Sequence, residues 1–253
     1  MMDFINKSLA SFGIGSATVD TRLSQERFQP GEMVKGEVHI RGGGAEQRID
    51  DIYLYLMATA TRGNQKSPLV LKEYRLSKSF VIQPDETRVI PFEIRLPLET
   101  PMSTGSYPVY LKTGLDIKMA RDPGDTDRIE IFPTPLVQKL LKQIEDSGFL
   151  LYQIHNEHDP DMKPIPLFQM FVFRPTGRYH GYVDEIRVSF QLTDHDIRMD
   201  VETVRADRLI HSSFEWEYHN PNGTLRINGV AVEEDPLMKI QEMLSRRGTI
   251  PPQ

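Results

Sequence analysis

Cysteine is absent from this 253-residue chain, which excludes disulfide bonds, thiol nucleophiles and thiolate metal sites. The chain contains no run of eighteen apolar residues, so no membrane-spanning helix is predicted. The first residues, MMDFINKSLASFGIG, carry an acid at Asp3 and have neither a basic leader nor a long apolar run, so no signal peptide is predicted. We therefore expect a cytoplasmic protein with at most peripheral membrane association.

An excess of basic residues is also missing. The chain has 36 acidic and 30 basic residues and a net charge of -6. Proteins that bind nucleic acids neutralise phosphates with clustered lysine and arginine, so this charge balance argues against a nucleic-acid partner. The hydrophobic content of 39% is enough to fill two cores at this length.

Short stretches of alternating apolar and polar residues recur along the chain. In MVKGEVHIR, Val34, Val38 and Ile40 share one face, and SSFEWEY shows the same alternation. EIRVSFQL places Ile186, Val188, Phe190 and Leu192 on one face. Turn signals separate the stretches at Pro30-Gly31, Gly42 to Gly44, Pro123-Gly124, Asn222-Gly223 and Asn228-Gly229. Many short strands with such spacing predict an all-β fold of two antiparallel, immunoglobulin-like β-sandwich lobes.

The stretch IPFEIRLPLETP indicates where one strand lies in its sheet. Ile90, Phe92 and Ile94 alternate with polar positions, but Pro91 and Pro97 cannot donate hydrogen bonds to a ladder. A strand of this kind is expected at a sheet edge, with the missing donor turned towards solvent.

Three short helices are predicted, at residues 4–12, 135–146 and 236–247. In the second, Thr134 is the expected N-cap, Pro135 begins the helix and Gly148 ends it, with an apolar stripe of Leu136, Leu140, Leu141 and Ile144. The resulting domains are an amphipathic segment (1–15), an N-terminal sandwich (16–132), a connector helix (133–148), a C-terminal sandwich (149–232), and a helix with a tail (233–253).

The stretch HNEHDPD contains the metal-ligand types His155, Glu157, His158, Asp159 and Asp161. It follows a predicted strand, where residues three apart point to opposite faces, and one metal site would need a further ligand from elsewhere. A polar loop between two strands is therefore expected, and a metal-dependent hydrolase built on residues 155–161 is the alternative.

Three other polar stretches resemble functional motifs only in part. DPGDTD, with Asp122, Asp125 and Asp127, lacks the glycine and glutamate of a calcium loop and is expected to be an acidic hairpin turn at Pro123-Gly124. Asp194, His195 and Asp196 are sequence neighbours that cannot easily orient a catalytic base, so a surface turn is expected. Gly42 to Gly44 precede a strand and are expected to form a hairpin loop instead of a phosphate site. No catalytic residue, metal or cofactor is predicted.

The stretch from Ala17 to Met57, ATVDTRLSQERFQPGEMVKGEVHIRGGGAEQRIDDIYLYLM, resembles the start of the bacterial sporulation-control proteins of the arrestin-like type. The later stretch FVIQPDETRVIPFEIRLPLETPMS is similar to an arrestin-type strand pair with its proline-rich exit. The resemblance implies a two-lobed scaffold for protein contacts, not an enzyme, with a role in sporulation or in cell division and envelope processes.

The expected function is therefore an adaptor that binds other proteins through sheet edges, loops and terminal helices. Leu237, Ile240 and Leu244 form the stripe of the last helix; it either covers the helix's own lobe or is offered to a partner or a second copy. Besides the hydrolase, a carbohydrate-binding sandwich is a third possibility, which requires exposed aromatic side chains around a groove.

Overall fold

The computed structural model describes residues 17–117, 123–181, 183–194, 196–205, 210–219, 224–227, 230–232 and 236–245. These residues form two compact units, one of residues up to 59 with 68–132, the other of residues 60–67 with those from 133 onward. The domain limits drawn from the sequence stay predictions. The helix predicted at 4–12 lies outside the described residues.

The described residues of the first unit form nine strands in two sheets. They are β1 (Thr18–Leu23), β2 (Arg27–Phe28), β3 (Met33–Arg41), β4 (Gln47–Arg62), β5 (Gln65–Ser77), β6 (Phe80–Ile82), β7 (Thr87–Arg95), β8 (Val109–Ile117) and β9 (Gly124–Ile131). One sheet has the order β1-β3-β7, and the other runs β4-β8-β9-β2, with β5 and β6 also paired to β4. The tip of the β4–β5 hairpin, residues 60–67, belongs to the second unit.

Alternating apolar residues fill the core of the first unit, as their spacing predicts. Val34, Val38 and Ile40 of the first sheet are completely buried, and so are Ile52 and Leu54 of the second. The hydroxyls of Thr21 on β1 and Thr113 on β8 lie 2.6 Å apart and join the two sheets by a buried hydrogen bond. Burial of one face of each sheet is what makes the two layers a sandwich.

The predicted edge strand is confirmed. β7 pairs with β3 and forms the end of the three-stranded sheet, with Pro91 opposite Glu37. Phe92, Ile94 and Leu96 are buried, as the period of two requires. The ring of Phe92 lies over Gly36, where an added Cβ would stand 2.7 Å from the ring, so the glycine makes room for the aromatic side chain.

Two four-residue turns of the form Gln-Pro-x-Glu introduce β3 and β7. In residues 29–32 and 83–86, the amide of the glutamate donates to the glutamine carbonyl, and the glutamate side chain accepts from the glutamine amide. The third residue has positive φ, 83° at Gly31 and 58° at Asp85, as a turn with proline in second place requires. The hydrogen bond from the Gln83 amide, followed by Arg88, lowers the pKa of Glu86.

The Gly42 to Gly44 prediction of a hairpin loop is wrong. β3 and β4, which flank these glycines, lie in different sheets, so the segment is a crossover between layers. The Gly42 amide donates to Glu86 O over 2.8 Å, and an added Cβ would lie 2.0 Å from Gln83 O. The glycine is needed because two backbone segments touch here.

The described residues of the second unit form a helix, an antiparallel meander and a second helix. Its elements are α1 (Pro135–Asp146), β10 (Phe149–His158), β11 (Leu167–Pro175), a 3-10 turn (Gly177–Tyr179), β12 (Glu185–Leu192), β13 (Asp196–Arg205), β14 (Ile210–His219), β15 (Thr224–Ile227), β16 (Val230–Val232) and α2 (Pro236–Ser245). Each strand from β10 to β16 pairs with the next. Ile186 and Val188 are buried as predicted, and Phe190 and Leu192 are half-buried. The predicted all-β fold is confirmed.

Helix α1 begins and ends where the sequence predicts, but its buried face is shifted. Thr134 caps it, Pro135 is its first residue, and Gly148 follows its end with a φ of 103°. Val137, Leu141 and Ile144 are the buried residues. The predicted stripe members Leu136 and Leu140 are only half-buried, because the face that packs is centred on Val137, Leu141 and Ile144 and is turned by about 40° from the stripe read from leucine spacing.

We expect Thr134→Ala to lower the free energy of unfolding by about 1 kcal/mol. The Thr134 hydroxyl oxygen accepts a hydrogen bond from the Val137 amide over 3.4 Å, and alanine leaves that amide without the side-chain acceptor. Urea unfolding followed by circular dichroism measures the change. Thr134→Ser, which keeps the hydroxyl, is the control and should recover most of the loss; equal losses in both variants would mean that the cap contributes nothing.

Candidate functional site

The candidate metal ligands of HNEHDPD lie partly on a strand. β10 extends through His158, so the prediction that a loop begins at His155 is wrong, and the turn begins at Asp159. His155 Nε2 lies 2.9 Å from Glu157 Oε1, while Asp159 accepts from the Asp161 amide within the turn. Among the residues that the structure describes, no three histidine or acidic side chains are grouped as metal ligands.

In the DPGDTD stretch, the residues from Gly124 onward belong to strand β9, and Pro123-Gly124 is not a turn. Gly124 pairs with Gly114, and the Leu115 amide donates to Pro123 O. The prediction of a hairpin turn at this dipeptide is therefore wrong, since Pro123 and Gly124 already lie in the ladder between β8 and β9. Asp122 lies outside the described residues.

Asp125 and Asp127 come close to Asp20 of β1 and form an acidic cluster with it. The Thr21 amide donates to Asp125 Oδ2 over 2.7 Å, so this carboxylate satisfies a backbone donor on β1. Asp127 Oδ2 is buried and receives no hydrogen bond from the described residues. Burial, followed by the charges of Asp125 and Asp20, raises the pKa of Asp127 to about 6.

The Asp194 to Asp196 stretch joins β12 to β13, as the predicted turn requires. The Thr193 amide donates to Asp196 O over 2.9 Å, and Leu192 pairs with Ile197 across the turn. His195 lies outside the described residues.

Exposed aromatic side chains bear on the carbohydrate alternative. Phe132 and Tyr152 are 44% and 54% exposed. The guanidinium of Arg27 lies 5.7 Å from the centre of the Phe132 ring, and that of Arg174 lies 3.6 Å from the Tyr152 ring. One face of each ring is thus already stacked on a cation, which leaves less aromatic surface for a sugar.

One edge of β5 in the first unit is a candidate surface for another protein. Within the part of the chain that the structure describes, β5 pairs only with β4. Val70 on this strand is 44% exposed. Tyr74 fixes the strand, because its hydroxyl donates to Arg95 O over 2.6 Å; burial raises the pKa of this hydroxyl to about 12.

The predicted partner-binding stripe lies on α2. Ile240 is 1% exposed and Met238 is 61% exposed, so Ile240 is already covered within the chain. The side chains of Leu237 and Leu244 lie outside the described set. None of the described helices is long and apolar enough to cross a membrane.

Comparisons with known proteins give a consistent result. A family model described as SpoOM protein (Spo0M) matches residues 5–207. Sporulation-control protein spo0M of Bacillus subtilis (strain 168) is 33% identical over 249 residues, which is 96% of each chain. The crystal structure of Bacillus subtilis Spo0M has a TM-score of 0.75 at 30% identity and covers 92% of this chain and 99% of that one. A CARDB domain from Pyrococcus furiosus has a TM-score of 0.30, which is too low to indicate a shared fold.

Proposed function

Because the chain belongs to the SpoOM protein family, we propose that it is a non-enzymatic, arrestin-like scaffold that controls sporulation by binding protein partners. The observation that carries this proposal is similarity along nearly the whole chain to a sporulation-control protein, in sequence and in fold. A cytoplasmic location belongs to the same proposal.

The geometry of the first unit is suited to such a role. A scaffold needs a rigid framework that presents backbone or side chains to another chain. The two sheets are joined by the buried Thr21–Thr113 hydrogen bond, and Tyr74 ties β5 to the end of β7. Strand β5 is therefore held in place before any partner arrives, which lowers the entropy lost on binding.

Helix α2 is a second proposed contact. Leu237, Ile240 and Leu244 are proposed as its partner-binding stripe, and burial of Ile240 implies that the helix must first leave its position on the chain. Full burial of one isoleucine side chain stabilises the docked helix by roughly 1.5–3 kcal/mol. A partner must offset at least that amount to use this stripe.

We expect this chain to restore spore formation in Bacillus subtilis cells that lack their own Spo0M, measured as heat-resistant spores per viable cell. The double change His155→Ala with His158→Ala should restore spores equally well, because a scaffold needs no metal ligand on β10. Circular dichroism and elemental analysis of the purified variants establish folding and metal content.

Loss of complementation in the folded double variant, together with loss of a bound metal ion, would support the hydrolase alternative and contradict the scaffold. If the unaltered chain is expressed and folded but restores no spores, the proposed role in sporulation is wrong.

A further inference from the structure

Most of strand β5 offers an unpaired backbone edge. From Leu69 to Ser77 the strand contains neither proline nor glycine, and Pro68 stands just before this stretch. Its described partner is β4 alone, and no backbone hydrogen bond joins residues 69–77 to any other described segment. We name residues 69–78 the β5 edge. Outward amides and carbonyls of such a strand can form a ladder with another extended chain.

The charge of the β5 edge is opposite to that of the whole chain. Lys72, Arg75 and Lys78 are exposed, and Glu73 is the single acid among these ten residues. The chain as a whole has a net charge of -6. The β5 edge therefore carries a local excess of positive charge on an acidic protein.

Neighbouring side chains reduce the excess of positive charge at the β5 edge but do not cancel it. Arg75 forms an ion pair with Asp51 on the neighbouring strand β4. The Lys72 ammonium lies 5.2 Å from the centre of the Tyr74 ring, which orients it without neutralising it. Lys78 follows the end of the strand and is exposed.

The charge pattern distinguishes between two possible occupants. If β5 paired with β5 of a second copy, each strand would bring its excess of positive charge, and like charges on facing strands are destabilising. The carboxylates of an extended acidic segment can lie beside Lys72 on one face of the strand, beside Arg75 on the other face, and beside Lys78 past its end. Cross-strand pairs of opposite charge are stabilising.

We propose that the β5 edge binds an extended acidic segment of a partner protein as an added antiparallel or parallel strand. This inference rests on the proposed scaffold function and names the kind of partner segment. Backbone hydrogen bonds hold the segment, and its carboxylates select it over neutral or basic strands. Tyr74, through Arg95 O, keeps the strand extended for this contact.

The probe for this test is a labelled peptide of about ten residues that alternates threonine and glutamate, long enough to span the edge. It is titrated with the full chain and followed by fluorescence anisotropy. We expect it to bind about tenfold more tightly than the same peptide with lysine in place of glutamate. Hydrogen exchange should show new protection of amides within residues 69–77.

Two N-methylated forms of the glutamate peptide distinguish strand addition from simple charge attraction. One form is methylated on the amides of one edge, and the other form on the amides of the opposite edge. A strand bonds through one edge only, so one of the two N-methylated glutamate peptides should lose binding and the other should keep it. Lys72→Glu should weaken binding several-fold. Lys112→Glu, the same change at an exposed residue on the interior strand β8, is the control and should change it much less.

Equal binding of the acidic and basic peptides, equal binding of both N-methylated peptides, or protection elsewhere in the chain would overturn the inference. Concentration-dependent dimers that protect β5 would assign the edge to a second copy and overturn it as well. If the peptide fails while the chain restores spores, the edge inference is wrong and the scaffold function stands. If the peptide binds but no spores are restored, the proposed role in sporulation is wrong and the edge inference stands.

Discussion

Gly42→Ala should destabilise the protein by about 2–4 kcal/mol, because a side chain at this position collides with backbone. The added Cβ would lie 2.0 Å from Gln83 O and 3.1 Å from the Gln83 carbonyl carbon. Neither atom can rotate away as the end of a flexible side chain could. Relief requires moving either the crossover from β3 to β4 or the turn at residues 83–86.

Both segments are held by other hydrogen bonds. The Gly42 amide donates to Glu86 O, and the Gln83 amide donates to the Glu86 carboxylate. Separating the two segments loses the first bond, and the second holds Gln83 within its turn so that its carbonyl cannot move alone. The cost therefore exceeds that of an ordinary surface substitution. Urea unfolding monitored by circular dichroism measures the change in free energy of unfolding.

Gly105→Ala is the matched control for Gly42→Ala. A Cβ at Gly105 meets no atom within 4 Å, and the residue does not have positive φ. We expect the control to stay within about 0.5 kcal/mol of the unaltered chain. If Gly42→Ala unfolds at the same urea concentration as Gly105→Ala, the backbone approach described here is not what holds this crossover.

Asp127→Asn should stabilise the protein by about 1–2 kcal/mol near pH 7.5, a figure reduced for partial solvent screening. Asp127 has a pKa of about 6 in the folded protein, raised from 3.8 first by burial and then by Asp125 and Asp20. The folded state therefore binds this proton more tightly than the unfolded state does. Asparagine removes a charge that the folded state disfavours.

The sign of the pH dependence follows from that raised pKa. The contribution of Asp127 to stability is fully present below about pH 4 and is lost as the pH rises through about 6. The stabilising effect of Asp127→Asn should accordingly be largest above pH 6 and shrink between pH 6 and pH 4. Urea unfolding at about pH 4.5, 5.5, 6.5 and 7.5 gives the difference in free energy of unfolding between the variant and the unaltered chain.

Asp116→Asn is the control for the acidic cluster. Asp116 lies on β8 of the same hairpin and is exposed, so removing its charge should change stability by less than about 0.5 kcal/mol at each pH. A difference between Asp127→Asn and the unaltered chain that is constant with pH would show that the carboxyl does not titrate in this window.

Local sequence patterns predicted most elements of the fold. The period of two at Ile90, Phe92 and Ile94 located β7, and its prolines placed it at a sheet edge, because a residue without an amide hydrogen is tolerated where no partner strand follows. Thr134, Pro135 and Gly148 set the limits of α1. These predictions rely on hydrogen-bonding and steric rules that act within a few residues.

The candidate site could be predicted only in part. Basic residues in the β5 strand are visible in the sequence, but nothing local reveals that β4 is its only described partner. The acidic cluster was equally hidden, since Asp20 and Asp127 are far apart in the chain and meet only when the two sheets pack. Asp125 was read as part of a turn, whereas its carboxylate accepts from the Thr21 amide.

Short-range patterns and ordered motifs were enough to predict the all-β class, the limits of α1, the edge position of β7 and the family. Tertiary structure alone decided that the Gly42 segment crosses between sheets, that α1 buries Val137 in place of Leu136 and Leu140, and that β10 continues through His158. These outcomes depend on which distant segment packs against each residue, and burial against that segment outweighs local preference.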